Sequence, residues 1–107
     1  MSRRRVIRLR QARRDLVEAA AYLEERSPDA ARRFLAAVEE TLAGIAATPG
    51  IGVARRVRHL RLGKLRMLPV HGFEKHLVFD QETEAGVELV RVLHGTRGIK
   101  AILGEED

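Results

Sequence analysis

The sequence predicts an α+β fold of order β-α-α-β-β-β-(α), with a helical hairpin packed on a mostly antiparallel twisted sheet. Three observations predict it. Apolar residues recur at helical spacing in two runs separated by Ser27-Pro28-Asp29. The second half consists instead of short β-patterned runs parted by polar or glycine-containing turns. Those connections are too short to hold crossover helices, so neighbouring strands there run antiparallel.

Each element follows from its residues. Val6-Ile7-Arg8-Leu9-Arg10 reads as an opening strand. From Gln11 the period becomes helical, with Ala12, Leu16, Ala19, Ala20 and Leu23 on one stripe and Tyr22 in a pattern that reads as core. Ser27 caps a second helix, Pro28 suits its first position and Asp29 complements its dipole. Ala31, Phe34, Leu35, Val38, Leu42 and Ile45 form its apolar stripe, and it ends before Pro49-Gly50. A basic loop, Gly52–Gly63, leads to strands at Leu65–Val70 and Lys75–Asp80. After the polar turn Glu82–Gly86, Val87–Leu93 is apolar on both faces except at Glu88 and Arg91, as a central strand is. Thr96–Leu103 forms a short closing helix with Ile99, Ile102 and Leu103 facing inward.

The bulk composition sets limits. At 107 residues the expectation is one domain, residues 1–107, with a modest core. A composition 45% hydrophobic and 33% charged fits a folded domain and excludes a disordered one. No run approaches the roughly 20 apolar residues of a membrane span, and arginines interrupt any apolar segment after the basic N-terminus. With no cysteine there is no disulfide or thiol nucleophile, and the cytoplasm is the expected location. The net charge of +5 points to an anionic partner. Between Thr41 and Phe73 there is no Asp or Glu, while Arg55, Arg56, Arg58, Arg61, Lys64 and Arg66 fall there. That tract reads either as a solvated loop or as a surface for carboxylates or phosphates, which arginine's planar fork suits.

The tract Gly86-Val87-Glu88-Leu89-Val90-Arg91-Val92-Leu93-His94-Gly95-Thr96-Arg97 resembles a strand ending in R-V-L-H-G-x-R, a pattern of the RelE/ParE toxin superfamily and particularly its ParE-like branch. Upstream, Leu16 through Tyr22-Leu23 is similar to the family's first helix, and Ser27-Pro28-Asp29-Ala30-Ala31 with Phe34 to its second. Thr48-Pro49-Gly50-Ile51-Gly52 and Leu65-Arg66-Met67-Leu68-Pro69-Val70 resemble the following loop and strand. The resemblance implies a type II toxin neutralised by a co-expressed antitoxin. RelE-like members cleave messenger RNA on the ribosome, whereas ParE-like members poison DNA gyrase.

Cleavage through a 2′-hydroxyl needs a base, a cation near the phosphate and an acid for the leaving oxygen. RelE-like nucleases use lysine and arginine on the sheet face and a tyrosine in the last segment, where this chain has Ile102 and Leu103. His76 stands where the family has an arginine. The nuclease set is therefore Arg66, His76, His94 and Arg97, with histidine as the acid–base residue. Against it, His94 reads as a hydrogen-bonded turn anchor, His71 as a surface or structural residue, and His59 as an anion contact in the basic loop. The histidines lack close ligand spacing, so neither a metal site nor a cofactor is expected. Arg91 has three readings: paired with a carboxylate such as Glu88 or Asp80, exposed on an open sheet face, or lining a concave target surface. The aromatic residues are Tyr22, Phe34, Phe73 and Phe79, and no stacking platform for single strands is expected among them.

The leading expectation is a non-enzymatic gyrase toxin contacting its target through Arg61, Arg66, Arg91 and Arg97. The alternatives are a ribosome-dependent endoribonuclease and an inactive toxin fold that binds antitoxin alone. All three imply a ParD-like antitoxin with an acidic, amphipathic C-terminal segment, forming a hetero-oligomer. Leu16, Leu23, Phe34, Val38, Arg55 and Arg58 are its expected contacts.

Overall fold

A computed structural model describes residues 4–56 and 64–103. The elements are β1 (Val6–Arg8), α1 (Arg10–Arg26), α2 (Pro28–Ala47), β2 (Val53–Arg56), β3 (Lys64–Val70), β4 (Phe73–Thr83), β5 (Gly86–His94) and α3 (Ile99–Leu103). The sheet has five strands in the order β1-β5-β4-β3-β2. β1 runs parallel to β5, and the remaining pairs are antiparallel. The α+β architecture is the one the sequence predicts, with β5 inside the sheet. None of the described helices is long and apolar enough to cross a membrane.

One element was not foreseen. Val53–Arg56, inside the expected basic loop, is an edge strand paired with β3 from Val53↔Met67 to Arg56↔Lys64. Its basic residues suit an edge, where charge discourages pairing with another chain. β4 also runs on to Thr83, which shortens the expected turn to Glu84-Ala85. The Val87 N–H is donated to the Arg5 carbonyl, drawing β1 so close that a Cβ at Gly86 would overlap that carbonyl oxygen. Gly86, at φ 151°, is therefore the residue the corner requires.

Both faces of the sheet are covered. On one, Ala12, Leu16, Phe34, Val38, Leu42 and Ile45 of the hairpin pack on Val70, Val78, Val87, Leu89 and Val92. On the other, Leu65, Phe79, Val90 and Leu93 pack with Leu103, and Ile99 and Ile102 sit against them. Phe79 pairs with Arg91 but Asp80 with Leu89, so Val90 is an additional residue on β5. This bulge resets the pleat, and Leu89 and Val92, three positions apart, both join the hairpin core.

The hairpin corner behaves as its residues dictate. The Ser27 hydroxyl accepts from the Ala30 N–H at 3.2 Å, with Pro28 opening α2 behind it. Ser27→Ala should lower stability by about 1 kcal/mol in urea denaturation, the usual cost of a lost N-cap.

Candidate functional site: a cleft between the first helix and the sheet

The site begins with an ion pair at the bulge. Asp15 of α1 accepts from Arg91 Nε at 2.8 Å and Arg91 Nη2 at 3.1 Å. It also accepts the Val92 backbone N–H at 2.9 Å and Gln11 Nε2 at 3.2 Å. A buried carboxylate is tolerable with this many donors, and it pins α1 to β5. Arg91 is paired with a carboxylate, as one of its readings had it, but the partner is Asp15 in place of Glu88 or Asp80, and the guanidinium is engaged internally. Glu88 instead accepts from Gln81 Nε2 at 2.8 Å.

Beside this pair, α1 and the sheet diverge into a cleft of about 380 Å³. Asp15, Glu18, Ala19 and Tyr22 form the α1 wall, while His76, Val92, His94, Thr96 and Arg97 form the other. His76 and His94 are register partners on β4 and β5, and their rings meet edge-to-face with centroids 5.0 Å apart. The Phe34 ring lies 4.7 Å from His76 on another side. Burial holds the His76 imidazole below its ordinary pKa, and the neighbouring His94 pushes it the same way. His94 Nδ1 accepts the Thr96 N–H at 3.2 Å and lies 2.7 Å from the Thr96 hydroxyl. These partners assign the proton of the neutral ring to Nε2, and they make His94 the turn anchor. Arg97 is exposed and has no ion pair with any described residue.

Of the four proposed nuclease residues, the fold gathers His76, His94 and Arg97 and leaves Arg66 outside the cleft. Arg66 donates from Nη1 to the Gly52 carbonyl at 3.3 Å and stands opposite Asp80 on β4. Tyr22 is the residue that sequence reasoning misplaced. It is 56% exposed on the cleft wall, with the Arg26 guanidinium 3.9 Å from its ring centroid. It falls one position before Leu23, and that single step around the helix turns it out of the core. Among the described residues, no group of His, Cys, Asp or Glu is placed to hold a metal ion.

Of the expected antitoxin contacts, Phe34 and Val38 are fully buried and Leu16 nearly so, because their stripe closes on the sheet. Leu23 is partly buried against the same core. Arg55 lies in β2, while Arg58, Arg61 and His59 fall outside the described residues. The open ground is the outer face of α1, where Arg8, Leu9, Arg10, Arg13, Arg14, Val17 and Glu18 line a groove of about 590 Å³. Arg8 is paired with Glu39 of α2 at 2.6 Å, and this contact lowers the Glu39 pKa. Arg10, Arg13 and Arg14 have no ion pair with any described residue, and Val17 is 70% exposed. The first turn of α1 has no acidic residue to offset its dipole, so positive charge accumulates there.

Asp80 is 1% exposed, and neither carboxylate oxygen has a hydrogen-bond partner among the described residues. Burial pushes its pKa up to about 6, with Glu82 adding to the rise and Arg66 opposing it. Because the folded value is raised, the folded state holds the proton more tightly. Asp80 thus favours folding fully below about pH 4, and that contribution is lost as pH rises through about 6. In urea titrations, Asp80→Asn should gain on the native chain by roughly 3 kcal/mol between pH 4 and pH 7.5, following the pKa displacement.

A family model for the ParE toxin of the type II toxin–antitoxin system parDE matches residues 6–99. No curated protein matches the chain. The matched span runs from the first residue of β1 to the first of α3, and the chain belongs to the ParE toxin family.

Proposed function

We propose that the chain is the toxic component of a type II toxin–antitoxin pair that acts on DNA gyrase without chemistry of its own. The family match over residues 6–99 is the observation that carries this reading. The site geometry supports it. The rings of His76 and His94 touch, leaving no room for a scissile phosphate between an imidazole base and an imidazole acid. Arg66, the further cation of the nuclease set, lies outside the cleft. Arg66 and Arg97, together with Arg61, are the proposed target contacts.

The antitoxin's acidic amphipathic segment docks on the outer face of α1. Its carboxylates meet Arg10, Arg13 and Arg14, and its apolar residues cover Val17 and Leu9. Arg55, on the edge strand β2, and Arg58 are kept as further proposed antitoxin contacts. Folding on binding lets such a segment neutralise several arginines at once. The proposed setting is the bacterial cytoplasm.

The test is induction of the chain in bacterial cells, alone and with the short reading frame beside its gene. Growth arrest with an SOS response and intact transcripts, relieved by the neighbouring product, is expected. Ribosome-dependent cuts in messenger RNA would replace this reading with the nuclease. No arrest would leave a fold that binds antitoxin and nothing more.

A further inference from the structure

The cleft beside Tyr22 brings Tyr22 together with His94 and Arg97, which neither the α1 groove nor the ion pair at the bulge uses. We propose that it is a nucleotide-binding site, in which Arg97 and His94 hold a phosphate and Tyr22 takes the base. Arg97 has no ion pair with a described residue, and its planar fork suits a phosphate oxygen pair. His94 is fixed by Thr96 at Nδ1, leaving the Nε2–H to donate. Tyr22 is 56% exposed on the facing wall, and the Arg26 guanidinium stacked over one face of its ring steadies it, leaving the other face as the one a base would stack on. A volume of about 380 Å³ falls at the lower end of small-molecule sites, roughly 300–1,000 Å³.

The acidic residues of the cleft narrow the ligand further. Asp15 is committed to Arg91 and Val92. Glu18 is not, and its carboxylate accepts from a ribose hydroxyl or a base amino group while opposing a second phosphate. The ligand is therefore a monophosphate, either a free nucleotide or the phosphorylated end of a nucleic-acid strand. Arg97 is shared with the proposed target contacts, but binding is read on the purified chain with no target present, so the inference stands or falls apart from gyrase inhibition.

The test is calorimetry and imidazole NMR on the purified full chain. The probes are adenosine 5′-monophosphate, inorganic phosphate, and a short oligonucleotide with and without a 5′-phosphate. Adenosine monophosphate should bind more tightly than phosphate and shift the His94 signals. Arg97→Gln should weaken both by about tenfold or more, the value of a lost charge-assisted bond. Tyr22→Ala should weaken the nucleotide about tenfold and leave phosphate unchanged. Both residues are exposed, and the backbone amide spectrum verifies folding. Arg32→Gln, on the far side of the hairpin corner, should change nothing. Tighter binding of the phosphorylated strand than of the nucleotide assigns the source to nucleic acid, and the reverse order assigns it to a free nucleotide. Silent imidazole signals, unchanged binding in Arg97→Gln, or a nucleotide bound no tighter than phosphate would each overturn the proposal.

Discussion

Asp15→Ala should destabilise the protein by about 3–5 kcal/mol, because it removes one partner of a buried ion pair and leaves the other uncompensated. Arg91 would keep its half-buried guanidinium with no carboxylate, and the Val92 N–H would lose its acceptor. Against a usual total of about 5–15 kcal/mol, that loss consumes much of the stability. The measurement is the urea midpoint of Asp15→Ala, Arg91→Met and the double variant. The double variant should be more stable than Asp15→Ala alone, since removing both charges abolishes the unpaired one. A loss below about 1 kcal/mol in Asp15→Ala would show that the bulge holds without the pair. The consequence reaches the cleft, whose two walls this pair joins. Tyr22 and Glu18 stand on α1, and His94 and Arg97 at the end of β5 and beyond it.

Phe34→Ala should lose a comparable amount, about 3–5 kcal/mol, by emptying the centre of the hairpin–sheet core. Phe34 is fully buried, meets Phe73 edge-on at 5.4 Å and backs the His76 ring. Phe34→Leu, which refills part of the volume, should lose less. The second readout is local: without its aromatic neighbour, the His76 signals should move even under conditions where the variant stays folded. An alanine variant within about 1 kcal/mol of the native chain would mean that Phe34 serves a surface, as an antitoxin contact would.

These two residues show what the sequence made legible and what it did not. The hairpin was readable because Ser27-Pro28 punctuates two clean helical periods, and β5 because Val87–Leu93 is apolar on both faces. Phe34 was placed on the correct stripe but given to a partner. An apolar period marks which side is apolar, and whether sheet or antitoxin covers it is a tertiary fact. Asp15 carried a usable signal. It sits among Ala12, Leu16 and Ala19 at the spacing of the buried stripe, and Arg91 is the matching lone cation in the central strand. Two opposite charges at two core-facing positions are best satisfied by each other, though they lie 76 residues apart. β2 was hidden because Val53–Arg56 has little apolar content, and an edge strand needs little. Tyr22 was lost to the Leu23 stripe, and with it half of the cleft.

The most direct test of the account is a supercoiling assay with purified DNA gyrase and the purified chain. Supercoiling should fall as the chain is added, and cleaved DNA should remain trapped on the enzyme. Adding a peptide of acidic, amphipathic sequence taken from the antitoxin should restore activity, and Arg10, Arg13 and Arg14 replaced by glutamine should blunt that rescue. Full supercoiling at a large excess of folded chain, with messages cut when ribosomes are supplied, would contradict it.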